Sequence, residues 1–191
     1  MIKKLFPVLG LAAALAAGTF AQSSKAQSPV AQRLREADSI EELFRPRVAA
    51  VRSSVIVNID EVERMAFAMV NEKRVSAGLE PLVWNDKLEQ TARLHSHNMA
   101  EYQFFSHKGL DNKLVSDRAD ENGVGRWRSI GENIAFNRGY SDPVVKTVEL
   151  WLDSPSHRRN MMSPEWKESA IGVSVADDGA YYFTQVFLVR K

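Results

Sequence analysis

At 191 residues, with 45% hydrophobic, 26% charged and 9% aromatic content, the chain can bury one core of ordinary size and does not have the composition of a disordered polymer. It contains no cysteine, which excludes disulfides, thiolate metal ligands, a cysteine nucleophile and a lipidated cysteine anchor. A formal charge of +1 gives no electrostatic case for nucleic acid as a partner.

Lys3 and Lys4 precede an apolar run from Leu5 to Ala17, followed by small residues and Thr19-Phe20-Ala21, an A-x-A-like cleavage site. Residues 1–21 therefore read as a signal peptide cleaved after Ala21. The apolar run, at about 13 residues, is short of the ~20 that span a bilayer, so no retained membrane span is expected. The mature protein is expected to be exported, to the periplasm or the extracellular space; losing the two lysines takes its formal charge from +1 to −1. Residues 22–57 form a linker and N-terminal extension: Gln22 to Pro29 is Gln, Ser, Ala and Lys, and a short amphipathic helix is expected around Ser39 to Phe44, before the β-branched stretch Ser53 to Val57.

A compact domain is expected over residues 58–191. Asp60 and Glu63 suggest a capping box for a helix whose face carries Val62, Met65, Ala66, Met69 and Val70, ended by Gly78 and Pro81. After Leu82-Val83-Trp84, Asn85 can cap a second helix with Leu88, Ala92, His95, Met99 and Tyr102 on one face, running to about Phe104. Lys108 to Ile130 is rich in Asp, Asn, Gly and Arg and reads as loop, with one helical turn near Leu114 to Ala119. Asp142-Pro143 and Ser154-Pro155 each place a capping residue before a helix-opening proline. Ala170 to Ala176, then Asp177-Asp178-Gly179, then Tyr181 to Val189 read as a hairpin. Helices first and antiparallel strands last make the fold α+β.

Two histidines and a carboxylate in separate segments could meet as a metal-ligand or acid/base cluster: His107 in Phe105-Ser106-His107, Glu132 in Gly131-Glu132-Asn133-Ile134-Ala135, and His157 in Ser154-Pro155-Ser156-His157-Arg158. His157 falls in the first turn of a helix, where free backbone N–H groups favour neutral imidazole. The bland alternatives are that each histidine bonds to backbone, and that Glu132 fixes backbone at the start of a strand or orients a histidine from behind. His95 reads as a core histidine bonded through one nitrogen, and His97 as exposed. Gly172-Val173-Ser174-Val175-Ala176 is not a nucleophile elbow, because it runs on as a strand into a turn. No zinc-protease helix motif and no phosphate-binding glycine loop occur.

From about Val62 to Phe187 the chain resembles the CAP superfamily of cysteine-rich secretory, antigen five and pathogenesis-related proteins, in its short, cysteine-poor bacterial branch. The resemblance is carried by Asn71-Glu72-Lys73-Arg74 with Gly78-Leu79 and Pro81-Leu82, by Trp84, Leu88, Ala92 and His95, and by the three segments holding His107, Glu132 and His157. Trp151, Asn160, Ile171-Gly172-Val173 and Thr184-Gln185-Val186-Phe187 complete the pattern. It implies a three-layer α-β-α sandwich with a small antiparallel sheet and a cleft lined by histidines and acidic residues. His107, Glu132 and His157 match three of the four cleft positions. At the fourth, where eukaryotic relatives carry a second glutamate, this chain has Ser154, with Glu149 and Asp153 as nearby carboxylates.

The function this implies is binding of a small apolar ligand such as a lipid, or of an envelope or extracellular partner, with His107 and His157 as candidate Zn²⁺ ligands. The alternative is a zinc-dependent hydrolase in which Glu132 is the candidate catalytic base or orients the attacking water. A structural or adhesive module with a vestigial cleft is the third reading.

Overall fold

The computed structural model describes residues 58–191; the expected signal peptide and the extension at 22–57 lie outside the described residues. Helix α1 spans Ile59–Ser76 and is capped by Asn58, whose side chain accepts from the Glu61 N–H, two residues before the expected cap. Glu63 turns inward instead of closing a capping box. Ala66 and Val70 are fully buried on this helix, whereas Met65 is exposed. Gly78, at φ +75, provides the left-handed residue that stops the helix. Strand β1 (Val83–Trp84) then leads into α2 (Asp86–Glu101), which Asn85 caps by accepting from the N–H groups of Lys87 and Leu88.

Helix α3 (Val115–Glu121) is the expected turn in the polar middle of the chain, and β2 (Trp127–Asn137) follows it. Asp142 caps α4 (Pro143–Asp153) through the N–H groups of Val144 and Val145. Helix α5 (Pro155–Met161) begins at its own proline, with Ser154 in the cap position but making no side-chain cap bond. Strands β3 (Glu168–Val175) and β4 (Tyr181–Arg190) form the hairpin around Asp177-Asp178-Gly179.

The sheet order is β1-β3-β4-β2. It is mixed, because the two-residue β1 pairs parallel to β3 while the other pairings are antiparallel. The long β2 is the main departure from the sequence reading, which placed loop through Ile130 and a strand beginning at Glu132. Glu132 instead sits mid-strand, opposite Val186 of β4.

Alternation along the hairpin divides the core in two. Ile171, Val173, Phe183 and Phe187 pack with Ala66, Val148, Trp151 and Met161 of α1, α4 and α5. Ala170, Val186 and Leu188 pack on the other side with Leu88, Ala92 and Ala119 of α2 and α3. The result is a three-layer α-β-α arrangement. Helix α2 lies so close to β3 that a Cβ on Gly172 would come within 2.1 Å of the Arg93 backbone nitrogen. Trp151, with no exposed surface, donates its indole N–H to the Ile134 carbonyl and ties α4 to β2. Truncating a side chain of this kind typically costs about 3–5 kcal/mol.

Candidate functional site

Glu132 organises the polar half of the site. It is buried, and both carboxylate oxygens are engaged: His107 Nδ1 donates to Oε1 at 2.8 Å, and the Arg118 guanidinium donates to Oε2 at 2.6 Å. Arg118 is buried too, and its NH1 group reaches the carbonyls of Lys113 and His107. One arginine therefore fixes the carboxylate and the loop that carries His107. With Nδ1 directed at Glu132, the neutral ring of His107 keeps a lone pair on Nε2. Its side chain is 48% exposed, so that nitrogen is reachable.

His95 braces the same loop from inside. It is fully buried on α2, and its Nε2–H donates to the Ser106 carbonyl at 2.9 Å, leaving Nδ1 without a partner. Burial is the main cause that pushes its pKa down, so it is a neutral core histidine. His97, two residues on, is exposed, as the helical periodicity predicts.

His157 comes from the first turn of α5. Its carbonyl accepts from Asn133 Nδ2 at 3.0 Å, while Asn160 donates to both Asn133 Oδ1 and the Glu132 carbonyl. These amides join α5 to β2 and place the His157 ring 6.3 Å from that of His107, centroid to centroid, at 50°. Burial first, and then the neighbouring His107, lower the His157 pKa and favour neutral imidazole.

Each histidine faces a different depression. His107 and Glu132 line one of about 530 Å³ with Val115, Trp127 and Ile130. His157 lines another of about 480 Å³, whose walls are mainly Phe104, Phe105, Ile134, Leu150 and Trp151. Ser154, at the fourth family position, lines this apolar cleft beside His157. Glu149 does not join the pair: it is exposed on α4 and faces Lys146 Nζ at 3.5 Å. Glu149 lies two positions before the buried Trp151, about 200° around the helix, which turns its side chain to solvent.

Among the described residues, the one set of three potential ligand side chains with donor atoms all within 4.8 Å of one another is Asp60, Glu63 and Glu89, far in character from the histidine trio. The Arg93 guanidinium pairs with all three carboxylates and already supplies their countercharge. His107, Glu132 and His157 converge, but not as a three-ligand set. Sequence reasoning missed Arg118, which sits in an acidic, loop-like stretch with no local sign of burial.

The model of the cysteine-rich secretory protein family, CAP, matches residues 67–187. The chain belongs to the CAP family. The uncharacterized membrane protein YlbC of Bacillus subtilis is 31% identical over 165 residues, covering 86% of this chain and 45% of that protein. An extracellular protein with an SCP domain from Bacillus anthracis superposes with a TM-score of 0.59 at 29% identity, over 69% of this chain and 41% of the other. An outer surface protein of Borrelia burgdorferi has the same fold, with a TM-score of 0.64 at 20% identity, covering 71% of this chain and 97% of its own. The chain thus spans about half the length of the curated relatives it matches. The CAP domain here is of the bacterial type, and no helix among the described residues is long and apolar enough to cross a membrane.

Proposed function

We propose that this CAP protein is an exported binding module, periplasmic or extracellular, whose cleft takes a small lipid-like molecule. In this reading residues 1–21 are removed on export, residues 22–57 precede the domain as a linker and extension, and residues 58–191 carry the site. The observation that carries the proposal is the apolar cleft of about 480 Å³ between β2, α4 and the loop after α2. Its size falls in the range of small-molecule sites, about 300–1,000 Å³, and its walls are aromatic and aliphatic with His157 and Ser154 as polar points. The extracellular description of the Bacillus anthracis relative supports export. Delipidated protein is expected to take up a labelled sterol or fatty acid saturably and stoichiometrically, with uptake weakened by Phe105→Asp. No uptake of any apolar probe would overturn the reading.

A second reading, zinc-dependent hydrolysis, draws support from the free Nε2 of His107 and the neutral His157 ring 6.3 Å away. His107 Nε2 and the His157 ring would be the ligands holding zinc there, and among the described residues no third side chain joins them as a ligand. Bound there, zinc would supply a Lewis acid and an activated water. Glu132, whose oxygens are both engaged, would hold the His107 tautomer instead of acting as the base. Calorimetric zinc titration should show one site that His107→Ala and His157→Ala each abolish. Turnover of peptide or ester by the zinc-loaded protein would favour the hydrolase, and binding without turnover would leave it behind the binding module.

A further inference from the structure

The apolar cleft does not stop at its aromatic floor. Gln103, Phe136 and Tyr182 belong both to its wall and to that of a second groove of about 500 Å³, so the two depressions adjoin along one face. The second groove has the opposite character. Glu101, Asp177 and Asp178 line it, and none of its lining residues is lysine or arginine.

Asp178 is met by Arg138 at 2.5 Å. Glu101 and Asp177 are exposed, and neither takes part in an ion pair among the described residues. Helix α2 also ends here, with Ala100 and Glu101 in the wall and no basic residue in its last turn. The carbonyl end of the helix carries no side-chain cation, and only the Tyr102 and Phe104 N–H groups meet the Asn98 and Met99 carbonyls there.

Tyr182 places a polar group at the junction of the two depressions. It is only 8% exposed, and its hydroxyl makes no hydrogen bond to the described residues although the ring lines both depressions. The hydroxyl is not among the buried polar atoms left without a partner, so it opens to solvent at the junction and is free to meet a bound polar group. Burial, and then the nearby Asp178, raise its pKa and keep the hydroxyl protonated. The Phe105, Phe136 and Tyr182 rings follow one another at centroid distances of 6.3 and 5.0 Å with tilted and edge-to-face planes, an aromatic run from the apolar cleft to the acidic groove. An aromatic face open to the groove attracts a cation.

We propose that the two depressions form one bipartite site for a cationic amphiphile, its apolar chain seated among Phe104, Phe105, Leu150 and Trp151 and its ammonium end held by Glu101, Asp177 and the Phe136–Tyr182 pair. This rests on the lipid-binding reading of the apolar cleft and specifies the charge of the ligand. A fatty carboxylate at the same end would face two unpaired carboxylates and a helix C-terminus.

The test compares three twelve-carbon probes, below their micellar concentrations at about pH 8, by calorimetry on the full chain. Dodecyltrimethylammonium carries the charge, dodecyldimethylamine N-oxide is its neutral near-isostere, and dodecanoate is the anion. The cation is expected to bind roughly tenfold tighter than the N-oxide, since exposed ion pairs and a helix end each contribute a factor of about five or less. The preference should shrink at high salt. The double change Glu101→Gln, Asp177→Asn should reduce it to about twofold or less while leaving N-oxide affinity unchanged, which also shows that the variant keeps its cleft. Phe105→Ala should weaken the cation and the N-oxide alike. Equal binding of cation and N-oxide, tighter binding of dodecanoate, or a preference that survives the double change overturns the bipartite site and leaves lipid binding standing. Failure of all three probes to bind removes the lipid reading, and this inference with it.

Discussion

Two buried glutamates in this domain each meet a guanidinium, the partly exposed Arg93 in one case and the buried Arg118 in the other, and the two pairs do different things. Glu63 of α1 accepts from Arg93 Nε and from the Val173 N–H at 2.9 Å, so α1, α2 and β3 are locked together at one point. The remaining partners of Arg93, Asp60 and Glu89, are themselves anions on the scaffold. Glu132 on β2 also accepts from a guanidinium, but its other oxygen receives a half-exposed histidine. The same ion pair is closed on itself in the first case and presents an imidazole to solvent in the second. The third partner, rather than the charge pair, separates a structural clamp from a candidate site.

The largest effect should come from removing either arginine. Arg93→Ala and Arg118→Ala each leave a buried glutamate without its cation, which typically costs about 3–5 kcal/mol. Urea unfolding should show a loss of that order for Arg118→Ala and a smaller one for Arg93→Ala, because the Arg93 side chain is 38% exposed and the Val173 N–H still donates to Glu63. Zinc titration should then divide them. Arg93→Ala should retain the wild-type affinity at temperatures where it is folded, and Arg118→Ala should not. Equal zinc behaviour in the two variants would erase the distinction between clamp and site.

Glu132→Gln gives a finer cut. A carboxylate that orients a metal-binding histidine typically accounts for about 10–100-fold in metal affinity, so calorimetry should register a loss in that range with the fold intact. If the fold collapses while affinity per folded molecule is unchanged, Glu132 acts as backbone support alone.

Acid should act on the histidine side of the comparison. His95 and His157 both have folded pKa values below their ordinary 6.5, with burial as the leading cause. The unfolded chain therefore binds more protons than the native one in that window. The stability they contribute is complete above about pH 6.5 and is lost as pH falls toward the folded values. One proton corresponds to up to about 1.4 kcal/mol per pH unit for a fully buried group, and to less for the half-exposed His157. The urea midpoint should drop between about pH 7 and pH 5, and His157→Gln should make that drop shallower. A midpoint flat across the window would mean that neither histidine pays for protonation on folding.

The helix starts were legible because they are local chemistry. Asn85, Asp142-Pro143 and Ser154-Pro155 announce themselves by residue type and are found where expected. The split between buried His95 and exposed His97 likewise follows from helical periodicity alone. Strand β2 was not legible, since Arg128, Ser129, Gly131, Glu132 and Asn133 make a polar run. Those polar groups become tolerable only through Arg118, Asn160 and the His157 carbonyl, all distant in sequence. Gly131 reads as a loop signal, yet a Cβ there would lie 2.9 Å from the Trp166 ring, so the strand needs a glycine for packing. The family pattern brought His107, Glu132 and His157 to one place, while the burial of Arg118 is a tertiary fact that no local spacing encodes.

The smallest expected effect tests whether charge alone explains the site. Glu149 is a carboxylate five residues before Ser154, close in sequence to the missing fourth position, but its only ion-pair partner among the described residues is Lys146, three positions earlier on the same helix face. Pairs of this kind contribute a few tenths of a kcal/mol. Glu149→Ala should therefore shift the urea midpoint by no more than about 0.5 kcal/mol and leave zinc titration and amphiphile binding untouched. Were it to weaken zinc binding as Glu132→Gln should, the fourth cleft position would be filled from α4 after all. The contrast between an engaged, buried carboxylate and a solvated one would then have to yield to a description in which α4 rotates Glu149 toward the histidines when metal is bound.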